Sequence, residues 1–115
     1  MKQTTEKISD MIASIGYQCA YHAFPENLNK PIKPPFICFF YEESNDLYAD
    51  AENYASIETL IIELYTREKD FDAERRVEQT LKKAGLTWAR EETYLDDEKL
   101  YEVIYDTQVL ISKEI

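Results

Sequence analysis

The apolar positions of this chain change period several times, and each change marks an element. Ile8, Met11, Ile12 and Ile15 fall at i, i+3, i+4 and i+7. That spacing predicts a helix over residues 3–15, with Thr4 or Thr5 as its cap and Gly16 as its end. The short aromatic run YQCAYHA then reads as a strand, and FPENLNKPIKPP, which holds all four prolines, reads as an extended connection because a helix is forbidden there. In PPFICFFYEE the period is two, yet both sets are apolar: Phe36, Cys38 and Phe40 point one way and Ile37, Phe39 and Tyr41 the other. Such a strand wants cover on both sides. Phe40 is assigned to the helix side and Tyr41 to the outer side, with the reverse assignment open.

SNDLYADAENY is polar and turn-prone and is expected to be a hairpin tip. It leads into YASIETLIIELYT, a strand with Leu60, Ile62 and Leu64 on one face and Ile57, Ile61 and Tyr65 on the other. From Asp70 the period returns to that of a helix. Phe71, Val77, Leu81 and Ala84 recur at helical spacing, Asp70 caps the first turn, Lys82 and Lys83 suit the negative end of the dipole, and Gly85 stops the element. TWAREETY is then a strand and LDDEK a tight acidic turn. LYEVIYDTQVLI is a long strand with Tyr101, Val103, Tyr105, Val109 and Ile111 on one face and Glu102, Asp106 and Gln108 among the opposite set. The order α-β-β-β-α-β-β predicts an α+β domain of two layers: two helices on one face of a mixed, mainly antiparallel sheet of about five strands.

Length and composition narrow the picture without changing it. A chain of 115 residues is read as a single domain, residues 1–115, able to bury one core. No run approaches the ~18 apolar residues of a membrane span, and the amphipathic start lacks a secretion signal's apolar stretch, so an intracellular protein without membrane contact is expected. Thirteen basic and twenty-three acidic side chains give a net charge of -10, which repels phosphate backbones. Cys19 and Cys38 have no CxxC or Cys/His spacing and are read as buried reduced thiols, a disulfide between neighbouring strands being the lesser alternative.

Candidate chemistry is thin. Arg67, Glu68 and Lys69 alternate in charge but fall in an exposed junction, which lacks the dry concave setting of acid/base catalysis. Glu91, Glu92, Asp96, Asp97 and Glu98 could attract calcium or magnesium, but they lack the DxDxDG pattern and its glycine. His22 is the only histidine and reads as a strand residue. Gly16 and Gly85 sit at helix ends, so no glycine-rich phosphate loop exists. Trp88 and the tyrosines lack the interleaved cations of base-stacking surfaces and are assigned to core and protein contact. No cofactor, catalytic residue or metal ligand is expected.

Four stretches, AYHAFPE (Ala20–Glu26), PPFICFFYEESNDLYAD (Pro34–Asp50), IELYTREKDFDAERRVEQTL (Ile62–Leu81) and EETYLDDEKLYEVIYD (Glu91–Asp106), together span most of the chain. In this order they resemble the small tail-terminator proteins of long-tailed bacteriophages and of prophages in Gram-positive bacteria, also called tail-completion, tail-joining or minor capsid proteins. The resemblance implies a non-enzymatic virion protein, made in the bacterial host cytoplasm. It assembles as a homohexameric ring that caps the growing tail tube and offers a surface to the head-tail connector. No catalytic residue is implied.

What the resemblance carries over is regional: the aromatic strand with Phe36, Phe39 and Tyr41, the hairpin tip around Tyr48, and the segment with Arg67, Glu68 and Lys69, as contacts to other subunits. A strand apolar on both faces fits a shielded subunit contact, and surplus negative charge fits a channel through which DNA passes without specific binding. The alternatives are a neck or head-completion protein that binds the connector but not the tube and, from another class, a small enzyme using the acidic clusters with a divalent ion.

Overall fold

The computed structural model describes residues 2–25, 32–42 and 55–112. The expected hairpin tip at 44–54, with Tyr48, lies outside the described residues. Within them the chain runs β1 (Lys2–Gln3), α1 (Thr5–Ala13), β2 (Gln18–Tyr21), β3 (Phe36–Glu42), β4 (Ala55–Thr66), α2 (Phe71–Lys83), β5 (Ala89–Leu95) and β6 (Leu100–Ser112). It is an α+β fold with a mixed sheet. The strands lie in the order β1-β6-β4-β3-β2, with β5 also paired to β6. The element that the periodicity did not predict is β1, whose two residues pair in parallel with Leu110 and Ile111 and are too few to show an alternation.

The helix ends follow their local chemistry. Thr4 Oγ1 accepts the Lys7 N–H at 3.1 Å, and Asp70 Oδ1 accepts the Ala73 N–H at 3.0 Å, each satisfying a donor that the first turn leaves open. At the far end of α2, Gly85 takes a φ of +75°. The Leu86 N–H then bonds back to the Leu81 carbonyl and the Gly85 N–H to the Lys82 carbonyl, both at 3.0 Å, which is a Schellman closure.

Both helices are crossovers between parallel strands. β4 and β5 each run antiparallel to β6 and are therefore parallel to each other, so α2 must pass across one face of the sheet to join them. α1 does the same between β1 and β2. Their apolar stripes, Ile8 and Ile12 on α1 and Ala73, Val77 and Leu81 on α2, meet Ile37, Phe39, Leu60, Ile62, Leu64, Val103, Tyr105, Val109 and Ile111 in one core. All nine belong to the same sheet face by register: Ile37 stands opposite Leu64, Phe39 opposite Ile62, and Ile62 opposite Tyr105.

The register inverts one expectation. Tyr41 pairs with Leu60 on the helix side and Phe40 with Ile61 on the outer side, so Phe40 faces away from the helices and Tyr41 packs at the edge of the core. A strand apolar on both faces gives no cue to its polarity; only the partner strands set it. A second correction concerns Phe71, which stands 67% exposed because the buried stripe begins two residues later at Ala73. The cysteine geometry follows as well. Cys19 sits opposite Ile37 and Ala20 opposite Cys38, which turns the two thiols to opposite faces of adjacent strands, and both are free.

Phe39 is 5% exposed, so Phe39→Ala should cost about 3–4 kcal/mol in urea unfolding, whereas Phe40→Ala on the open face should cost less than half as much. Equal losses would contradict this assignment of faces.

Candidate functional site

The outer face of the sheet is laid out in rows across four strands. Phe40, Ile61, Asp106 and Ala89 form one row, Cys38, Glu63, Ile104 and Glu91 the next, and Phe36, Tyr65, Glu102 and Thr93 a third. No helix or strand covers this face among the described residues. Aromatic rings run along it: Phe36 stacks on Tyr65 with centroids 4.9 Å apart, Phe24 meets Phe36 edge-on at 5.6 Å, and His22 lies 5.7 Å from Phe40. Ile57, at the far end of β4, is 63% exposed. Between the apolar groups stand carboxylates, and Glu42, Glu63, Glu91 and Asp106 border a hollow of about 300 Å³ floored by Phe40, Ile61 and Ile104.

Burial on this face perturbs its titrating groups. The Cys38 thiol is pushed up to about 11, by desolvation first and the neighbouring Glu63 charge second; it is a protonated packing group at neutral pH, not a nucleophile. Glu63 is raised, again by desolvation and then by Glu102. Tyr65 donates to Glu102 Oε2 at 2.7 Å and is raised by burial and by that bond.

A different cluster lies on the helix side. Lys69 Nζ is 2.8 Å from Glu74 Oε2 and also contacts Glu92, while Arg90 Nη2 contacts Glu74 and lies 3.1 Å from Glu92 Oε1. Two cations and two anions thus alternate in a closed ring that ties the start of α2 to β5. Glu74 is 5% exposed and depends on both cations for compensation. Desolvation opposes the charge on Lys69, but its hydrogen bonds to Glu74 and Glu92 outweigh it and the pKa is raised. Glu92 is lowered, chiefly by its bond from Lys69. Beside the ring, the Tyr105 hydroxyl donates to Glu78 Oε2 at 2.9 Å.

With this geometry in view, the chain can be set beside known proteins. No protein-family model and no curated protein matches it. Among the described residues no helix is long and apolar enough to cross a membrane, and no three His, Cys, Asp or Glu side chains are grouped to hold a metal ion.

The structure separates the predicted contact residues. Phe36 is on the outer face, but Phe39 is spent in the core and offers nothing to a neighbour. Tyr41 is half-buried on the helix side; its hydroxyl is buried and has no hydrogen-bond partner among the described residues, and burial pushes it up to about 12. Arg67 and Glu68 are exposed beside Pro34 and Pro35, around a hollow of about 460 Å³. Lys69 is committed to the ion-pair ring. The acidic hairpin is divided likewise: Glu92 belongs to that ring, Glu91 to the outer face, and Asp96, Asp97 and Glu98 to the exposed turn. His22, expected as a strand residue, lies just past the end of β2, where a φ of +70° turns the chain out of the extended conformation; histidine enters this region more readily than most residues. Trp88 packs partly buried against the core.

Glu74 and Arg90 went unnoticed in the sequence. The available signal was Glu74 lying one position from Ala73 on the buried stripe, where an acid needs a partner.

Glu74→Ala leaves Lys69 and Arg90 with Glu92 alone and should cost about 2–3 kcal/mol at pH 7, less than a wholly buried pair because both cations keep some solvent and one carboxylate partner. Urea unfolding measures this, and a loss below about 0.5 kcal/mol would mean the ring contributes nothing.

Glu63 gives a prediction of opposite sign. Its raised folded pKa means the native state holds the proton more tightly than the unfolded chain, so stability falls as pH rises from the ordinary glutamate value through the raised one. Glu63→Gln should raise Tm at pH 7, and the gain should shrink on acidification below that window. A gain that grew with acid would contradict it.

Proposed function

We propose that the chain is a non-enzymatic structural subunit of a long-tailed phage or prophage virion, a tail terminator that closes as a ring on the end of the tail tube. The observation that carries this reading is the outer sheet face. Among the described residues, Phe36, Phe40, Tyr65 and Ile104 are half-buried and Ile61 is buried on a sheet face that neither helix covers, although the same sheet carries two helices on its opposite side. A surface of this kind is built to meet another chain. The four stretches that resemble the tail-terminator family lend it support, as does the net charge of -10, which suits a wall past which DNA must slide.

The mechanism is one of geometry. A closed ring seated on the last tube ring leaves no free edge for another tube subunit and presents its far side to the head-tail connector. Phe36, Tyr41, Tyr48, Arg67, Glu68 and Lys69 are the proposed contact residues for these partners, while Phe39, at 5% exposure, is occupied by the core. Nothing in this action requires a cofactor.

Electron microscopy of particles assembled without the protein tests the reading. Overlong tails are expected. Tails of normal length that fail to join heads would move the assignment to a neck or head-completion protein, and normal joined particles would overturn both.

A further inference from the structure

Two patches on opposite sides of the domain carry opposite charge. On the outer sheet face, Glu42, Glu63, Glu91 and Asp106 surround an apolar floor made largely by Phe40 and Ile61. Arg90 borders the same hollow, but its guanidinium is engaged by Glu74 and Glu92. On the other side of the domain, the outward surface of α2 carries Arg76, Lys82 and Lys83 around a hollow of about 610 Å³ beside the end of α1. All three are exposed and make no ion pair among the described residues. Because Ala73, Glu74, Val77 and Leu81 are the buried residues of α2, these cations face away from the sheet.

Arg76 is also held in place. Its guanidinium lies 4.9 Å from the Tyr17 ring centre in a cation–π contact, and it lies against Gly16, where a Cβ would come within 2.7 Å of Nη2. Both the glycine and the stacked tyrosine keep one cation extended across the mouth of the hollow. A long side chain fixed in this way loses less rotamer freedom when it pairs.

We infer that copies of this chain associate head to tail, the acidic outer sheet face of one docking on the Arg76, Lys82 and Lys83 surface of α2 in the next. This deepens the ring reading above and rests on it. Pairing either face with its own copy would oppose like charges, so a two-fold dimer through one face is disfavoured. A contact between two different surfaces repeats from copy to copy, and closes when the rotation permits. The apolar floor supplies burial, and the charges set register and partner choice.

The test uses two sets of exposed substitutions, read by sedimentation velocity and native mass spectrometry, with circular dichroism confirming that each variant folds. One variant reverses the sheet face (Glu42→Lys, Glu91→Lys, Asp106→Lys) and the other reverses the helix face (Arg76→Glu, Lys82→Glu, Lys83→Glu). Each alone should self-associate at least about 100-fold more weakly than the wild-type chain. Mixed in equal amounts they should recover the wild-type assembly, since each supplies the face the other now needs. Should a triple variant fail to fold, the pair Asp106→Lys and Lys83→Glu carries the same comparison with a smaller effect.

Variants that assemble as wild type, or a mixture that stays monomeric, would overturn the head-to-tail pairing and leave the ring reading to the tail-length assay. A wild-type chain that remains monomeric at about 1 mM in low salt would overturn it as well. Overlong tails in the particles lacking the protein would still support termination in that case, with the tube as template.

Discussion

The antiparallel ladder between β4 and β6 is the constraint on which the rest depends. It runs unbroken from Ala55 opposite Ser112 to Thr66 opposite Tyr101, and side chains alternate along both strands, so a single register assigns every residue of the sheet centre to one face or the other. A slip by one position would carry Leu60, Ile62 and Leu64 out of the core and bring Ile61 and Glu63 in. The strand pairs on either side, β3 with β4 and β5 with β6, inherit the same assignment. Both helices then find one apolar surface to cover, and the crossovers that carry them leave the other surface to different chemistry.

That division separates two ways of handling charge. Beneath the helices Glu74 is withdrawn from water and answered by Lys69 and Arg90, which makes it a fastening between α2 and β5 rather than a reactive group. On the outer face Glu63 and Glu102 lie near each other and make no ion pair among the described residues, and burial and mutual repulsion lift Glu63. The first arrangement holds the domain together. The second lowers its stability when fully ionised, a pattern expected of surfaces retained for contact rather than for folding.

Much of the architecture was legible because it rests on period alone. The stripes of both helices, the caps at Thr4 and Asp70, the glycine stops, and the facing of Leu60, Ile62, Leu64, Val103 and Tyr105 are local consequences of spacing. What could not be read depended on pairing at a distance. The polarity of β3 is ambiguous when Phe39 and Phe40 are equally apolar, and only the Tyr41–Leu60 and Phe40–Ile61 pairs resolve it. The parallel pairing of β2 with β3 leaves no local mark, nor does the two-residue β1. The ion-pair ring joins residues far apart in the chain, so Lys69 looked like a free surface charge and Glu92 like part of an acidic turn.

The placement of the two cysteines has a consequence for durability. Because Cys19 and Cys38 occupy adjacent strands but project through opposite sides of the sheet, oxidation cannot staple them within one molecule, and neither thiol is needed to close a loop. The domain reaches its shape with both thiols free. No disulfide within the molecule contributes to its cohesion, which packing, hydrogen bonds and paired charge supply.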